Sequence, residues 1–390
     1  MKKINFAQIP INRNEISQSE LNVAERKRVN LFAWNGQFSP QFVETLLNKY
    51  AKENFAVVDP FLGSGTVLVE CARKGLKAFG TELNVSAYSM AKVYELCNLN
   101  EQEKMTLLKR SKKIVGEAVS SGNSLDVIVQ AISKEKNNQQ KIVLSALVIL
   151  LDIFNHPTTK ELIEKKFKQL TEIIEHLPFS HAILKAENSD ARASSYKDDS
   201  ADLLLTSPPY INVFNYHQKY RASVEALGIN VLAIAKSEFG SNRKNRSNRL
   251  LTVVQYSIDI ALSLKEASRV LKDKSRMIYV VGRESSVLGY SFCNSELVFC
   301  LAREIFGFEL LIRQERVFMN RYGQTIYEDI LHFENNKQCK LTEKDIEIKA
   351  RKVAVEFLSK KLNEVNGNKA LLLQAINKAE EVKKSEVHRA

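Results

Sequence analysis

Two short stretches hold residue types that could do chemistry. In the first, Thr206-Ser207-Pro208-Pro209-Tyr210 follows the apolar run Leu203 to Leu205. Two prolines remove backbone donors and fix local dihedrals, so the chain here is held extended with carbonyls left to accept hydrogen bonds. Ser207 adds a hydroxyl and Tyr210 a ring. An exocyclic amine of a nucleobase matches that set: it donates to Ser207 and the Pro208 carbonyl while Tyr210 stacks on the base, as expected when a base is extruded from its duplex.

The second stretch is Asp59-Pro60-Phe61-Leu62-Gly63-Ser64-Gly65-Thr66. A β-branched run ends in an acid, and the glycines permit a tight turn where a ligand can approach the backbone. Leu68 stands where a dinucleotide fingerprint places its third glycine, and no lysine follows as in a phosphate-binding loop, so a pyrophosphate is not the expected ligand. Glu82 lies 17 residues beyond Gly65, close to the spacing of about 20 at which an acid meets ribose hydroxyls. Such an acid favours a neutral or cationic nucleoside.

The elements that must position these residues alternate. Ser39 and Pro40 read as N-cap and first turn of a helix to about Tyr50. Strand, glycine turn and helix follow, then a second strand ending at Glu82. From about Val85 to His176 nearly everything has a helical pattern, including the all-round apolar "KIVLSALVILLDIF". Alternation resumes with "HAILKAENSDAR" and "ADLLLTSPPY", a helix over about Leu251 to Leu271, "SRMIYVVG", a helix near Ser295 to Ile305, and the strands "FELLIRQERVF" and "TIYEDILHFE". The fold expected is α/β, a doubly wound and mostly parallel sheet with an antiparallel edge hairpin and a helical insertion. Its expected units are 1–95 (N-terminal segment and cofactor half), 96–180 (insertion), 181–335 (catalytic half) and 336–390 (helical tail). The Lys/Glu-rich tail from Glu343 reads as a solvated helix.

A net charge of +12 points to an anionic partner, nucleic acid before membrane surface. No run approaches the roughly 18 apolar residues of a membrane span. The five cysteines lack metal-ligand spacing and suit a reduced, cytoplasmic compartment. Aromatics interleaved with Lys219, Arg221, Arg243, Lys244, Arg246 and Arg249 form either a phosphate-tracking loop or a solvated one.

DPFLGSGT with TSPPY resembles the amino-methyltransferases that use S-adenosylmethionine to methylate exocyclic nitrogens of DNA bases, over roughly 30–95 and 180–335. The resemblance implies a Rossmann-like methyltransferase fold, S-adenosylmethionine as cofactor, no metal, and double-stranded DNA as partner. It implies that Asp59, Pro60, Phe61, Gly63, Ser64, Gly65 and Thr66 line the cofactor's methionine end, that Glu82 holds the ribose and that Asp190 holds the adenine amine. "WNGQFSP" is similar to a further cofactor-touching segment and carries over Phe38 and Pro40. Ser207, Pro208, Pro209 and Tyr210 would form the catalytic motif. A serine opening that motif is more usual for N4-cytosine than for N6-adenine enzymes, and adenine is the nearest alternative.

Methylation of cytosine C5 requires a nucleophilic thiolate, which the enzymes of that reaction carry in a Pro-Cys pair; the cysteines here follow Glu, Leu, Phe, Phe and Gln. RNA guanine-N2 enzymes share both motifs but usually carry a separate RNA-binding domain, for which the roughly 50 residues before the glycine loop are too few. A cognate restriction endonuclease, the recognised sequence and the oligomeric state stay open.

Overall fold

The computed structural model describes residues 4–25, 27–211, 216–240, 245–320, 323–337, 339–364 and 367–388. In chain order the helices are α1 (Gln18–Asn22), α2 (Pro40–Tyr50), α3 (Thr66–Arg73), α4 (Val85–Lys92), α5 (Glu101–Ser120), α6 (Ser124–Lys134), α7 (Asn138–Leu151), α8 (Lys160–Glu175), α9 (Arg221–Ala226), α10 (Val231–Ile234), α11 (Leu251–Val270), α12 (Asn294–Phe306), α13 (Glu343–Ser359) and α14 (Lys369–Asn377). The strands are β1 (Ala56–Asp59), β2 (Lys77–Thr81), β3 (Leu184–Glu187), β4 (Ala201–Thr206), β5 (Leu271–Gly282), β6 (Glu284–Val287), β7 (Tyr290–Cys293), β8 (Glu309–Met319) and β9 (Thr325–Glu334).

Seven strands form one sheet in the order β3-β2-β1-β4-β5-β9-β8, and β6 and β7 make a separate hairpin. The first five are mutually parallel, and β9 runs antiparallel to both β5 and β8. This is the doubly wound sheet with an antiparallel edge that the strand pattern predicts. From β1 the chain winds outward to β2, and from β4 it winds the other way to β5. The topological switch point therefore lies between β1 and β4, where open α/β sheets bind ligands outside the carboxyl ends of the strands.

Both sheet faces are buried, which is why these strands read as continuous apolar runs. Val57, Leu203, Leu205, Ile278 and Val280 join one core with α2, α3 and α4. Their alternating neighbours Val58, Leu204, Met277, Tyr279 and Val281 join another with α11 and α12. The helices of 101–175 add to the first core through Leu144, Leu147 and Leu151 of α7, so that segment shares its core with the sheet.

The tail departs from its solvated expectation. Ile346, Ala350, Ala354 and Leu358 of α13 have no exposed surface and complete the second core, with α14 adding Leu372 and Ala375. Most charged residues of α13 face outward, Arg351 being buried where it donates to the Val382 carbonyl, and the apolar spacing of four marks a packed face.

Candidate active site

The motif after β1 is built around a buried carboxylate. Asp59 Oδ1 accepts from the Phe61 amide at 3.1 Å and from Thr206 Oγ1 at 2.6 Å, while no described residue donates to Oδ2. Burial pushes its pKa up to about 7, against the lowering effect of the Thr206 bond. The turn then takes Gly63 to φ 55° and Gly65, the N-cap of α3, to φ 91°. Gly65 also needs its bare α-carbon, since a Cβ there would sit 2.7 Å from the Tyr94 ring and 2.9 Å from Ala91. The turn aims the N-terminus of α3 at the space beyond Asp59.

Glu82, at the end of β2, faces the same space. Its carboxylate accepts from the Gly63 and Asn84 amides, each at 2.7 Å, and burial raises its pKa to about 7. The Gly63 bond ties the glycine turn to the acid, so the two sequence signals are one structural unit.

TSPPY lies directly across the switch point. The Thr206 bond to Asp59 fastens the end of β4 to the end of β1. The Pro209 carbonyl is taken by the Tyr256 hydroxyl at 2.8 Å, whereas no described residue donates to the Pro208 carbonyl. Of the two proline carbonyls expected to be open, one is. Tyr210 lies against Gly282, where a Cβ would fall 2.6 Å from the ring. Its hydroxyl donates to Glu328 Oε1 at 3.2 Å. Burial raises the Tyr210 pKa, so the phenol stays protonated.

These groups open into one cavity of about 1250 Å³. Its walls include Phe38, Asp59, Phe61, Gly63, Glu82 and Asp190, with Ser207, Pro208, Pro209 and Tyr210 at the other end. Pro40, Pro60 and Thr66 also line it. Ser64 and Gly65 stand behind the wall, with the Ser64 hydroxyl turned back to Gln37 Oε1 at 2.6 Å. The volume exceeds the roughly 300–1,000 Å³ of a typical single-ligand pocket, which leaves room for a cofactor and a second planar group. Among the described residues no His, Cys, Asp and Glu cluster could hold a metal ion, and no helix is long and apolar enough to cross a membrane.

Asp190 is on the wall but engaged. Arg192 grips it through Nε at 2.8 Å and Nη2 at 2.5 Å, and also bonds Asp259 Oδ1 at 2.6 Å. The same guanidinium donates to the Ser385 and Glu386 carbonyls, and the Asp190 amide donates to the His388 carbonyl. The tail thus braces this wall.

Phe239 and Glu238 line the cavity outside both motifs. Phe239 meets Phe61 edge-on at 5.3 Å and receives the Arg192 guanidinium at 4.8 Å. Glu238, also on the wall, accepts from His217 Nδ1 at 2.8 Å. Trp34 stacks near-parallel on Tyr216 and Tyr220, with Lys219 Nζ 5.0 Å from its ring. Among the basic residues singled out above, Arg221 pairs with Glu225 at 2.8 Å, and Arg246 and Arg249 are exposed. Arg243 and Lys244 lie outside the described residues.

Residues 10–93 match the model of a family described as DNA methylase. The type II methyltransferase M.MvaI of Kocuria varians is 22% identical over 341 residues, which cover 64% of this chain and 74% of that protein. M.MjaII of Methanocaldococcus jannaschii is 37% identical over 51 residues, 13% of this chain and 10% of that protein. Among solved structures, a methyltransferase of Methanosarcina mazei covers 75% of this chain and 97% of its own at 14% identity and a TM-score of 0.35. The rRNA methyltransferase aviRa of Streptomyces viridochromogenes covers 87% and 99% at 11% identity and a TM-score of 0.33. TM-scores this low add nothing to what the sheet order shows by itself. The glycine turn lies inside the matched residues 10–93 and meets the proline motif in one cavity, and with the M.MvaI similarity the chain is similar to the N4/N6 DNA amino-methyltransferases.

Proposed function

We propose that the protein transfers the methyl group of S-adenosylmethionine to the exocyclic N4 amine of a cytosine turned out of duplex DNA, in the cytoplasm. The observation that carries this reading is the Thr206–Asp59 bond of 2.6 Å, which joins a nucleoside-type turn to an amine-type motif across one cavity.

The residues fit the cofactor. Asp59 Oδ2, with no described donor on a buried carboxylate, suits the ammonium of its methionine end, and the position of Glu82 on the same cavity wall supports a role toward the ribose hydroxyls. Phe61 and Phe239 offer apolar faces to an adenine beside Asp190. When bound, the cofactor supplies an electrophilic methyl on a sulfonium. The chain's own work is then to hold the amine. A cytosine amine is a poor nucleophile because its lone pair is delocalised into the ring. Hydrogen bonds to Ser207 Oγ and the Pro208 carbonyl draw it toward a tetrahedral, more nucleophilic geometry. Tyr210, pinned by Gly282 and Glu328, holds the ring plane. Catalysis is orientation in a site shielded from water, with no covalent intermediate.

The test is incubation with isotopically labelled S-adenosylmethionine and unmethylated duplex DNA, followed by digestion and mass spectrometry of the nucleosides. Labelled N4-methylcytosine is expected. N6-methyladenine would correct the base, and label confined to tRNA would overturn DNA as substrate.

A further inference from the structure

Arg316, on β8, faces Glu328 of β9 in the sheet register and lines the cavity. It is 7% exposed, and its guanidinium lies between the rings of Phe42 at 4.6 Å and Phe318 at 4.5 Å. Nη1 donates to Glu328 Oε2 at 3.1 Å. Nε is buried without an acceptor, and no described residue accepts from Nη2. Nε and Nη2 together form one edge of the planar fork, the edge that makes paired hydrogen bonds.

Two described arginines close to this hairpin are spent differently. Arg313 donates to Asp329 and to the Phe6 carbonyl, and Arg283 to Asp329 and Glu315. Those two hold the hairpin together. Arg316, fixed in place by two rings yet left with an unused edge, has the form of a recognition group.

Its position says what it meets. The Glu328 carboxylate takes the Tyr210 hydroxyl on one oxygen and Arg316 on the other, so the guanidinium stands two hydrogen bonds from the ring proposed to stack on the target base. With the exocyclic amine at Ser207 and Pro208, the next two positions around a cytosine are N3 and O2, both acceptors. Around an adenine they are N1, an acceptor, and a C–H. Only cytosine fills both donors.

We propose that Arg316 is a specificity-determining residue that reads N3 and O2 of the extruded cytosine and disfavours adenine, an inference that rests on the amino-methyltransferase reading above. The sites labelled by the unaltered protein in bulk duplex DNA are first mapped. Synthetic duplexes then carry either cytosine or adenine at the target position, and kcat/KM is measured for each with the unaltered protein, Arg316→Met and Arg316→Lys. Cofactor binding and thermal unfolding serve as controls. The cytosine-to-adenine ratio is expected to fall at least tenfold in both variants. Lysine keeps the charge beside Glu328 but cannot span two acceptors, so it covers the case in which methionine fails to fold. An unchanged ratio in an active, folded Arg316→Lys protein overturns the proposal, because a phosphate contact or a structural role affects both duplexes alike. Preferred labelling of adenine by the unaltered protein also overturns it while leaving the methyltransferase reading standing. Absence of label in any DNA overturns both.

Discussion

Replacing Thr206 by valine removes one hydroxyl from the junction of β1 and β4 and leaves the side-chain shape nearly unchanged. Thr206 has no exposed surface, and its bond of 2.6 Å is the strongest influence holding the Asp59 pKa down against burial. A hydrogen bond to a charged group contributes about 1.5–3 kcal/mol. At 1.36 kcal/mol per pH unit, its loss moves the ionisation of Asp59 upward by roughly one to two pH units. Asp59 titrates near 7 in the unaltered chain, so about half is ionised at neutral pH. In the variant that share falls to roughly a tenth or a hundredth. If the cationic end of S-adenosylmethionine binds the ionised form, affinity at pH 7 drops by roughly five- to fiftyfold and recovers as pH rises toward 9. Isothermal titration calorimetry of the cofactor across that range measures both. A loss equal at pH 7 and pH 9, or no loss at all, would refute the assignment of Asp59 to the cofactor's cation.

The same carboxylates make the unaltered protein pH-dependent. Asp59 and Glu82 titrate near 7 in the folded chain and near 4 when unfolded, so the folded form holds more protons between these values. Their contribution to stability is present below about pH 4 and lost as pH rises through 7. If the cofactor engages the ionised forms of both carboxylates, its binding should release protons at neutral pH, visible in calorimetry as a dependence of the heat on the buffer's ionisation enthalpy. Tyr210→Ala removes a stacking face worth about 1–3 kcal/mol, so turnover should fall roughly five- to 150-fold in kinetics with cofactor binding intact. Gly282→Ala places a Cβ 2.6 Å from the same ring, and should reproduce that loss of turnover without touching any group that meets the cofactor. Leu358→Ala, in the tail, should cost about 2–5 kcal/mol in denaturant unfolding, where a solvated helix would lose almost nothing.

What the sequence made legible was local. Strand runs, glycine turn and proline motif are each encoded by neighbouring residues: Gly63 and Gly65 by their positive φ, Ser39 by its side-chain bond to the Phe42 amide. The doubly wound order followed because alternating strands and helices leave few other arrangements. Contacts between residues far apart in the chain were not legible. Thr206 reads as part of the proline motif, yet its hydroxyl serves an acid 147 residues earlier. Nothing around Asp190 announces that Arg192 closes on it, or that Ser385 and Glu386 close on Arg192. Tyr256, inside an apolar helix, gave no sign that it would take the Pro209 carbonyl. The tail misled because α13 carries as many charged residues as apolar ones, while burial is decided by its apolar stripe. Phe239, Glu238 and Arg316 reach the cavity from loops and the sheet edge, and only the assembled fold brings them together.

The central claim is that the glycine turn and the proline motif face a methyl donor and an amine across one cavity. A crystal structure of the protein with S-adenosylhomocysteine tests it most directly. The account predicts the amino-acid end of that ligand at Asp59, its ribose at Glu82, and its sulfur turned toward Ser207 and the Pro208 carbonyl. A sulfur pointing away from Pro208, or a ligand bound outside this cavity, would contradict it.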